Sequence, residues 1–75
     1  MPPRRRVLKA GRILVEGGDP IACSVTTLGP AGAGLGVNDG TAVPDAFRLA
    51  IAADGFERAC RVTVRAARHV EVEFG

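Results

Sequence analysis

The sequence predicts an all-β protein, a small six-stranded antiparallel barrel that follows a flexible basic N-terminal arm. Large apolar residues alternate with polar or small residues in short segments along most of the chain, which is the period of half-buried strands. Turn-forming Gly, Pro, Asn and Asp separate these segments every few positions. Because no spare helix is predicted to cover sheet edges, closure into a barrel is favoured.

Size and composition limit the classes of protein this chain can belong to. With 75 residues it forms one domain, near the size at which a single core is only marginally stabilising. The formal net charge is only +2, so the basic character is local and favours a small anionic ligand over extended duplex binding. No apolar run approaches a membrane span, and no apolar signal segment follows the arginines, so we expect a cytoplasmic protein without membrane insertion.

Residues 1–9 are predicted as the flexible basic arm, and residues 10–75 as the barrel domain. The prolines at positions 2 and 3 oppose both helix and sheet. Four of the ten cationic side chains lie close together in this arm: Arg4, Arg5, Arg6 and Lys9. Short basic runs of this kind contact phosphate or nucleic acid, or remain as solvated charge, and the arm alone does not distinguish these roles.

Three strands are predicted in the first half of the barrel. The first covers residues 10–15 and leads through a Gly-Gly-Asp-Pro turn into a second strand, residues 21–26, with the same alternation. After a break over residues 28–32, a short third strand is predicted in residues 33–37. Its alternate glycines indicate that a neighbouring group approaches the backbone closely, or that the sheet bends sharply.

The fourth strand is predicted from Phe47, Leu49 and Ile51, which alternate with charged or smaller residues. Because Ala and Leu favour helix, a helix over residues 45–53 is the competing interpretation. The period of two favours the strand, and the following Asp54-Gly55 pair is typical of a hairpin turn.

The last two strands are predicted as a hairpin with a loop at residues 67–69. This loop of three residues sets Val64 opposite Val72 on the apolar face. On the other face it sets Arg65 opposite Glu71, which is a favourable cross-strand charge pair. A loop of two residues would instead set Val64 opposite Glu71, so the odd loop is preferred.

No arrangement typical of an enzyme or a metal site is present in the sequence. His69 is the single histidine, it falls in the predicted loop, and no CxxC pair occurs, so we expect no catalytic residues and no metal. The glycine-rich residues 29–40 lack the Gly-Lys-Ser/Thr of a P-loop and the strand–turn–helix setting of a dinucleotide fingerprint. Cys23 and Cys60 are expected to be reduced and buried, and a disulfide between them is the open alternative.

Local sequences throughout the chain, together with the order of the predicted elements, resemble those of a known family. They are RRRVLKAG at residues 4–11, VPDAF at 43–47, CRV at 60–62 and VEVEF at 70–74. The chain resembles the PilZ domain, in its compact stand-alone alphaproteobacterial form, from about residue 4 to the last residue. The resemblance implies a six-stranded barrel that binds the bacterial second messenger cyclic di-GMP. No helix is predicted after the last strand, although many PilZ domains have one there.

The family binds its ligand through two motifs, RxxxR in the arm and [D/N]xSxxG at the turn after the second strand. By resemblance, the ligand-binding residues of this chain are Arg4, Arg5, Arg6, Lys9, Thr27, Gly29 and Gly32. Arginine binds phosphate or the O6 and N7 atoms of guanine with two parallel hydrogen bonds, and it stacks on bases. The polar groups of the turn contact base edges, and its glycine lets backbone and ligand approach closely.

Only Arg5 and Gly32 match these motifs strictly. Lys9 stands at the second arginine and keeps the charge without the planar fork. Thr27 keeps a hydroxyl in place of the carboxylate or amide, and Gly29 lacks the serine hydroxyl. These departures weaken the motif at the turn more than in the arm.

The resemblance implies a receptor or adaptor of second-messenger signalling, in which bound cyclic di-GMP reshapes a surface presented to a protein partner. Because two polar groups of the turn are missing, the alternative is a PilZ-like barrel that binds no ligand and acts as a protein–protein interaction module. Nucleic-acid binding through the arm is not expected, since the chain has no Tyr or Trp on which bases could stack. No cofactor other than the possible ligand is expected.

Overall fold

The computed structural model describes residues 4–75, in which six antiparallel strands close into a barrel. The strands are β1 (Arg5–Leu14), β2 (Ile21–Leu28), β3 (Gly32–Gly36), β4 (Ala46–Ile51), β5 (Phe56–Arg65) and β6 (His69–Phe74). Their order around the barrel is β1-β2-β3-β6-β5-β4. Within the described residues, the helical elements are two short 3-10 turns, Gly40–Ala42 and Ala52–Asp54. The predicted all-β, six-stranded barrel is confirmed.

Strand β1 begins at Arg5, well before the position that the alternation predicts. Arg5 pairs with Leu28 of β2, and the ladder shifts register between Arg6 and Lys9. Val7, inside this bulge, packs against the core. Backbone pairing with β2 therefore extends through residues that their clustered charge predicts to be a flexible arm. The remainder of that predicted arm, residues 1–3, lies outside the described residues.

The predicted first hairpin and the fourth strand are confirmed. Gly17 has a φ of +73° in the turn between β1 and β2, a conformation that glycine adopts without steric cost. The segment with competing strand and helix interpretations is strand β4, in which Phe47, Leu49 and Ile51 are buried. Gly55, with a φ of +62°, then turns the chain into β5. The period of two therefore outweighs the helix propensity of this segment.

The predicted register of the last hairpin is wrong. Val72 lies opposite Val62, and Val64 lies opposite Glu71, because the β5–β6 ladder shifts between Val62 and Val64. One extra residue in β5 changes the face on which the following side chains lie, so Val64 is 54% exposed. The predicted pairing of Arg65 with Glu71 is wrong for the same reason.

The interior of the barrel is filled entirely by apolar side chains. The buried residues are Ile13, Cys23, Val25, Ala33, Leu35, Val37, Val43, Phe47, Leu49, Ile51, Cys60, Val70 and Val72. Both cysteines are free and buried, as predicted. Burial raises the pKa of Cys23 and of Cys60 to about 11, so both thiols are protonated at neutral pH and pack as small apolar groups.

The outward-facing positions of strand β3 are all glycines, so the outer wall of the barrel has no side chains along this strand. Ala33 and Leu35 are fully buried in the core, so the three glycines that alternate with them lie on the outer face. β2 lies on one side of this strand and β6 on the other. We call this channel the glycine groove, with Gly32, Gly34 and Gly36 as its floor. It explains Gly32 and Gly34, because neighbouring groups lie too close to the backbone at these two positions for a side chain to fit.

We expect Gly32 and Gly36 of the glycine groove to differ sharply in how well they tolerate a side chain. A Cβ at Gly32 would overlap the carbonyl oxygen of Val72, whereas a Cβ at Gly36 would meet nothing closer than 3.8 Å. We expect Gly32→Ala to cost about 1–3 kcal/mol of stability and Gly36→Ala to change it by less than about 0.5 kcal/mol. Urea unfolding of the two variants beside the parent protein measures this, and equal midpoints for the two variants would contradict the assignment.

Candidate functional site

The basic residues and the β2–β3 turn meet at one end of the barrel, because β1 and β2 are antiparallel neighbours. Arg6 lies opposite Thr27, and Arg5 lies opposite the last residue of β2. The N–H of Gly29 donates a hydrogen bond to the carbonyl of Gly32 (2.9 Å), which closes the turn. Five of the residues that the resemblance selects are therefore close neighbours in the structure.

Lys9 is engaged elsewhere. It follows the bulge of β1, and its Nζ lies 2.5 Å from a carboxylate oxygen of Asp54 in the 3-10 turn after β4. The ammonium group is thus held by a carboxylate on the β4 side of β1, whereas the turn lies on the β2 side. The structure does not bring Lys9 together with the other basic residues at the turn.

Arg4 crosses the glycine groove and reaches β6. One guanidinium nitrogen donates to the carboxylate of Glu71, and the other lies 3.5 Å from the carbonyl oxygen of Val72. The second carboxylate oxygen of Glu71 is hydrogen-bonded to Nε2 of His69. The carboxylate of Glu71 therefore bridges a guanidinium and an imidazole on the outer wall.

The side chains of Thr27, Glu71 and His69 converge above Gly34, and the guanidinium of Arg4 lies beside them above Gly32. A Cβ at Gly34 would lie 2.7 Å from Oγ1 of Thr27, 3.0 Å from Oε2 of Glu71 and 3.3 Å from Cε1 of His69. The Thr27 hydroxyl is buried and has no hydrogen-bond partner within residues 4–75. Leaving a buried hydroxyl unpaired costs about 1–3 kcal/mol, so this group gains from any ligand that enters the groove and offers it a partner.

The charge of the site is divided between one paired arginine and two exposed ones. Burial alone would raise the pKa of Glu71, but hydrogen bonds from His69 and Arg4 and the charge of Arg4 lower it below its usual value. Glu71 is therefore ionised at neutral pH and neutralises Arg4. Arg5 and Arg6 are exposed, and neither forms a side-chain ion pair or hydrogen bond with another described residue.

The sequence does not predict that three further residues, His69, Glu71 and Arg58, lie at this site. His69 begins β6 and is half-buried, whereas the alternation places it in a loop. Glu71 is predicted only as an outward strand residue. Arg58 of β5 donates to the carbonyl of Pro30 in the turn (3.4 Å) and lies over the ring of Phe74 at 4.9 Å. One feature of the sequence could have indicated two of them. His69 and Glu71 are two positions apart, a spacing that places both on one face of a strand.

Three other arginines on the wall are paired with carboxylates. The pairs are Arg48–Glu57 at 2.8 Å, Arg61–Glu73 at 3.4 Å and Arg65–Asp45 at 2.7 Å. Arg65 also donates to the carbonyls of Gly40 and Val43, which anchors the connection between β3 and β4. These arginines do not form a free cationic face, as contact with extended nucleic acid would require.

A second place for an anion lies towards the other end of β3. A shallow depression of about 310 Å³ includes Ser24, Gly36, Asn38 and Arg68 in its lining. It offers one guanidinium group, whereas Arg4, Arg5, Arg6 and Arg58 surround the junction of β1 with the turn. The junction is therefore the stronger candidate for binding phosphate.

Two further features concern metals and membranes. Over residues 4–75, no group of three or more His, Cys, Asp or Glu side chains is placed to hold a metal ion. The described part of the chain also contains no helix with the length and apolar character needed to cross a membrane.

Comparisons with known proteins found no match for this chain among protein-family models, curated proteins or solved structures.

The lowered pKa of Glu71 predicts a contribution to stability that acid removes. The ionised carboxylate stabilises the fold above its ordinary pKa of 4.5, and this stabilisation is lost as the pH falls through the lower native value. Glu71→Gln should lower Tm at neutral pH, and its Tm should approach that of the parent protein as the pH falls below 4.5 and through the lowered native pKa of Glu71. Thermal unfolding followed by circular dichroism between neutral and acidic pH measures this convergence.

Glu73→Gln is the matched control, because Glu73 also lies on β6 but its carboxylate is 55% exposed and pairs with Arg61. Exposed ion pairs contribute little, so this variant should change Tm only slightly. A Tm difference between Glu71→Gln and the parent protein that stays constant into the acid range would contradict the role given to the Glu71 carboxylate.

Proposed function

We propose that this protein is a PilZ-like receptor or adaptor domain that binds cyclic di-GMP where β1 meets the β2–β3 turn. The observation that carries the proposal is the adjacency of Arg5 and Arg6 to residues 27–32, which the pairing of β1 with β2 produces. Arg5 of the arm motif and the residues of the turn motif are distant in the sequence and close together in the fold, whereas Lys9 is held by Asp54. The proposal places the protein in the bacterial cytoplasm as a binding protein without enzymatic activity.

The chemistry of the junction suits this ligand. Cyclic di-GMP carries two phosphates and exposed guanine edges. The exposed guanidinium groups of Arg5 and Arg6 have no carboxylate partner among the described residues, so they are available for paired hydrogen bonds to phosphate or guanine. Arg58, held against the carbonyl of Pro30, adds a cation on the other side of the turn.

The departures from the family motifs set the strength of the proposed interaction. Lys9 is engaged by Asp54, and Gly29 has no hydroxyl to offer. Each good bidentate contact to a base contributes about 1–3 kcal/mol, so losing two polar contacts of similar size weakens binding by a few powers of ten. We therefore propose weak binding, with Arg5 as the principal contact.

A second candidate function is a protein–protein interaction module that needs no ligand. Leu8 favours it, because this side chain is 84% exposed in the bulge of β1. An exposed leucine beside several cations suits a partner surface with apolar and acidic groups. The two candidates are compatible if ligand held by the neighbouring arginines alters the surroundings of Leu8, and a partner retained equally with and without cyclic di-GMP would favour the second alone.

Calorimetric titration with cyclic di-GMP tests the proposed function. The parent protein should give saturable heat, and Arg5→Ala should weaken binding by about tenfold or more, because a charged hydrogen-bonding group is lost. Arg12→Ala is the matched control, since Arg12 is exposed on the same strand but lies opposite Ala22 and Ala50, far from the turn. It should change the affinity by less than about twofold. Absence of heat up to about 1 mM ligand would exclude the proposed binding.

A further inference from the structure

Glu71 lies in the same row of the outer wall as the basic residues. The register places Arg6, Thr27, Gly34 and Glu71 opposite one another in turn across β1, β2, β3 and β6. Adjacent strands are about 4.8 Å apart, so about 14 Å of wall separates the backbones of Arg6 and Glu71. Gly34 has no side chain, and the space above it is occupied by side chains of the neighbouring strands β2 and β6.

The groups around the Glu71 carboxylate are those that a phosphate would use. Arg4 and His69 each hydrogen-bond one of its two oxygens above the bare backbone of β3. The buried hydroxyl of Thr27 points into the same space and has no partner in the described chain. The carboxylate, which is attached to β6, engages Arg4 and His69 and leaves the Thr27 hydroxyl unpaired. The two non-bridging oxygens of a phosphodiester each accept more than one hydrogen bond, and a ligand that is not attached to β6 can be placed to reach all three groups.

We infer that the glycine groove is a phosphate-binding subsite and that Glu71 is its occupant in the absence of ligand. The inference rests on the proposed function and deepens it, because it locates one phosphate of the ligand above Gly34, against Arg4, His69 and Thr27. Two anions cannot share this space without strong repulsion, so the ligand enters only when the Glu71 side chain leaves. Glu71 therefore competes with the ligand for Arg4 and keeps the affinity low.

Removal of the Glu71 charge tests the inference. Glu71→Gln should bind cyclic di-GMP about tenfold more tightly than the parent protein, because the ligand no longer displaces an anion from Arg4. Glu73→Gln removes the same charge from the next outward position of β6, where the carboxylate is paired with Arg61 instead. This control should gain less than about twofold, so it separates competition for Arg4 from a general change in charge.

A double-mutant cycle shows whether the gain depends on Arg4. In an Arg4→Ala background, Glu71→Gln should give a smaller gain, because the competition for Arg4 is absent and only the repulsion between carboxylate and phosphate is removed. A gain as large without Arg4 as with it, or an equal gain in Glu73→Gln, would overturn the inference. Thermal unfolding confirms that each variant is folded, and Glu71→Ala provides the same comparison if Glu71→Gln does not fold.

The outcomes separate the inference from the proposed function. If the parent protein binds cyclic di-GMP and Glu71→Gln binds it no more tightly, the subsite is wrong and the proposed function stands. If only Glu71→Gln binds, the carboxylate blocks the groove fully, so the subsite is supported and the proposed function of the parent protein fails. If neither protein binds at about 1 mM ligand, the proposed function fails and the inference fails with it.

Discussion

A Cβ at position 34 would lie only 2.7 Å from the hydroxyl of Thr27 and 3.0 Å from the carboxylate of Glu71. The absence of a side chain there is the constraint on which the arrangement of the outer wall depends. It lets β2 and β6 direct polar groups across β3, and the missing side chain at Gly32 likewise leaves room for the guanidinium of Arg4, which would lie 3.0 Å from a Cβ there. On its inner face the same strand buries Ala33 and Leu35, so one short strand serves both the core and the candidate site.

The division between an apolar interior and a polar wall determines where binding can occur. The core side chains fill the barrel and include no charged or polar residue among those described. Binding chemistry is therefore confined to the outer wall, where five of the ten Lys and Arg side chains are paired with carboxylates. Arg5 and Arg6 are exceptions beside the turn, and Arg4 joins them when Glu71 releases it. The local charge of the site thus depends on the position of a single carboxylate.

The period of two in the sequence predicts the strands and the barrel, and it resolves the strand–helix ambiguity around Leu49. It does not predict the bulges, because an extra residue such as the one before Val64 leaves the alternation of residue types unchanged. The alternation does not predict that β1 starts at Arg5, because a run of charged residues gives no sign that their backbone pairs with β2. The contact of Arg4 with Glu71 depends on the non-local pairing of β3 with β6, which no local pattern encodes.

The position of the ligand phosphate is measured most directly by nuclear Overhauser effects between cyclic di-GMP and the protein. Ligand protons near the phosphate, on the ribose, should show contacts to the α-protons of Gly34 and the methyl group of Thr27. The side-chain resonances of Glu71 should shift at the same time as it leaves the groove. Contacts confined to the depression lined by Asn38 and Arg68, with Glu71 unperturbed, would contradict a phosphate-binding subsite in the glycine groove.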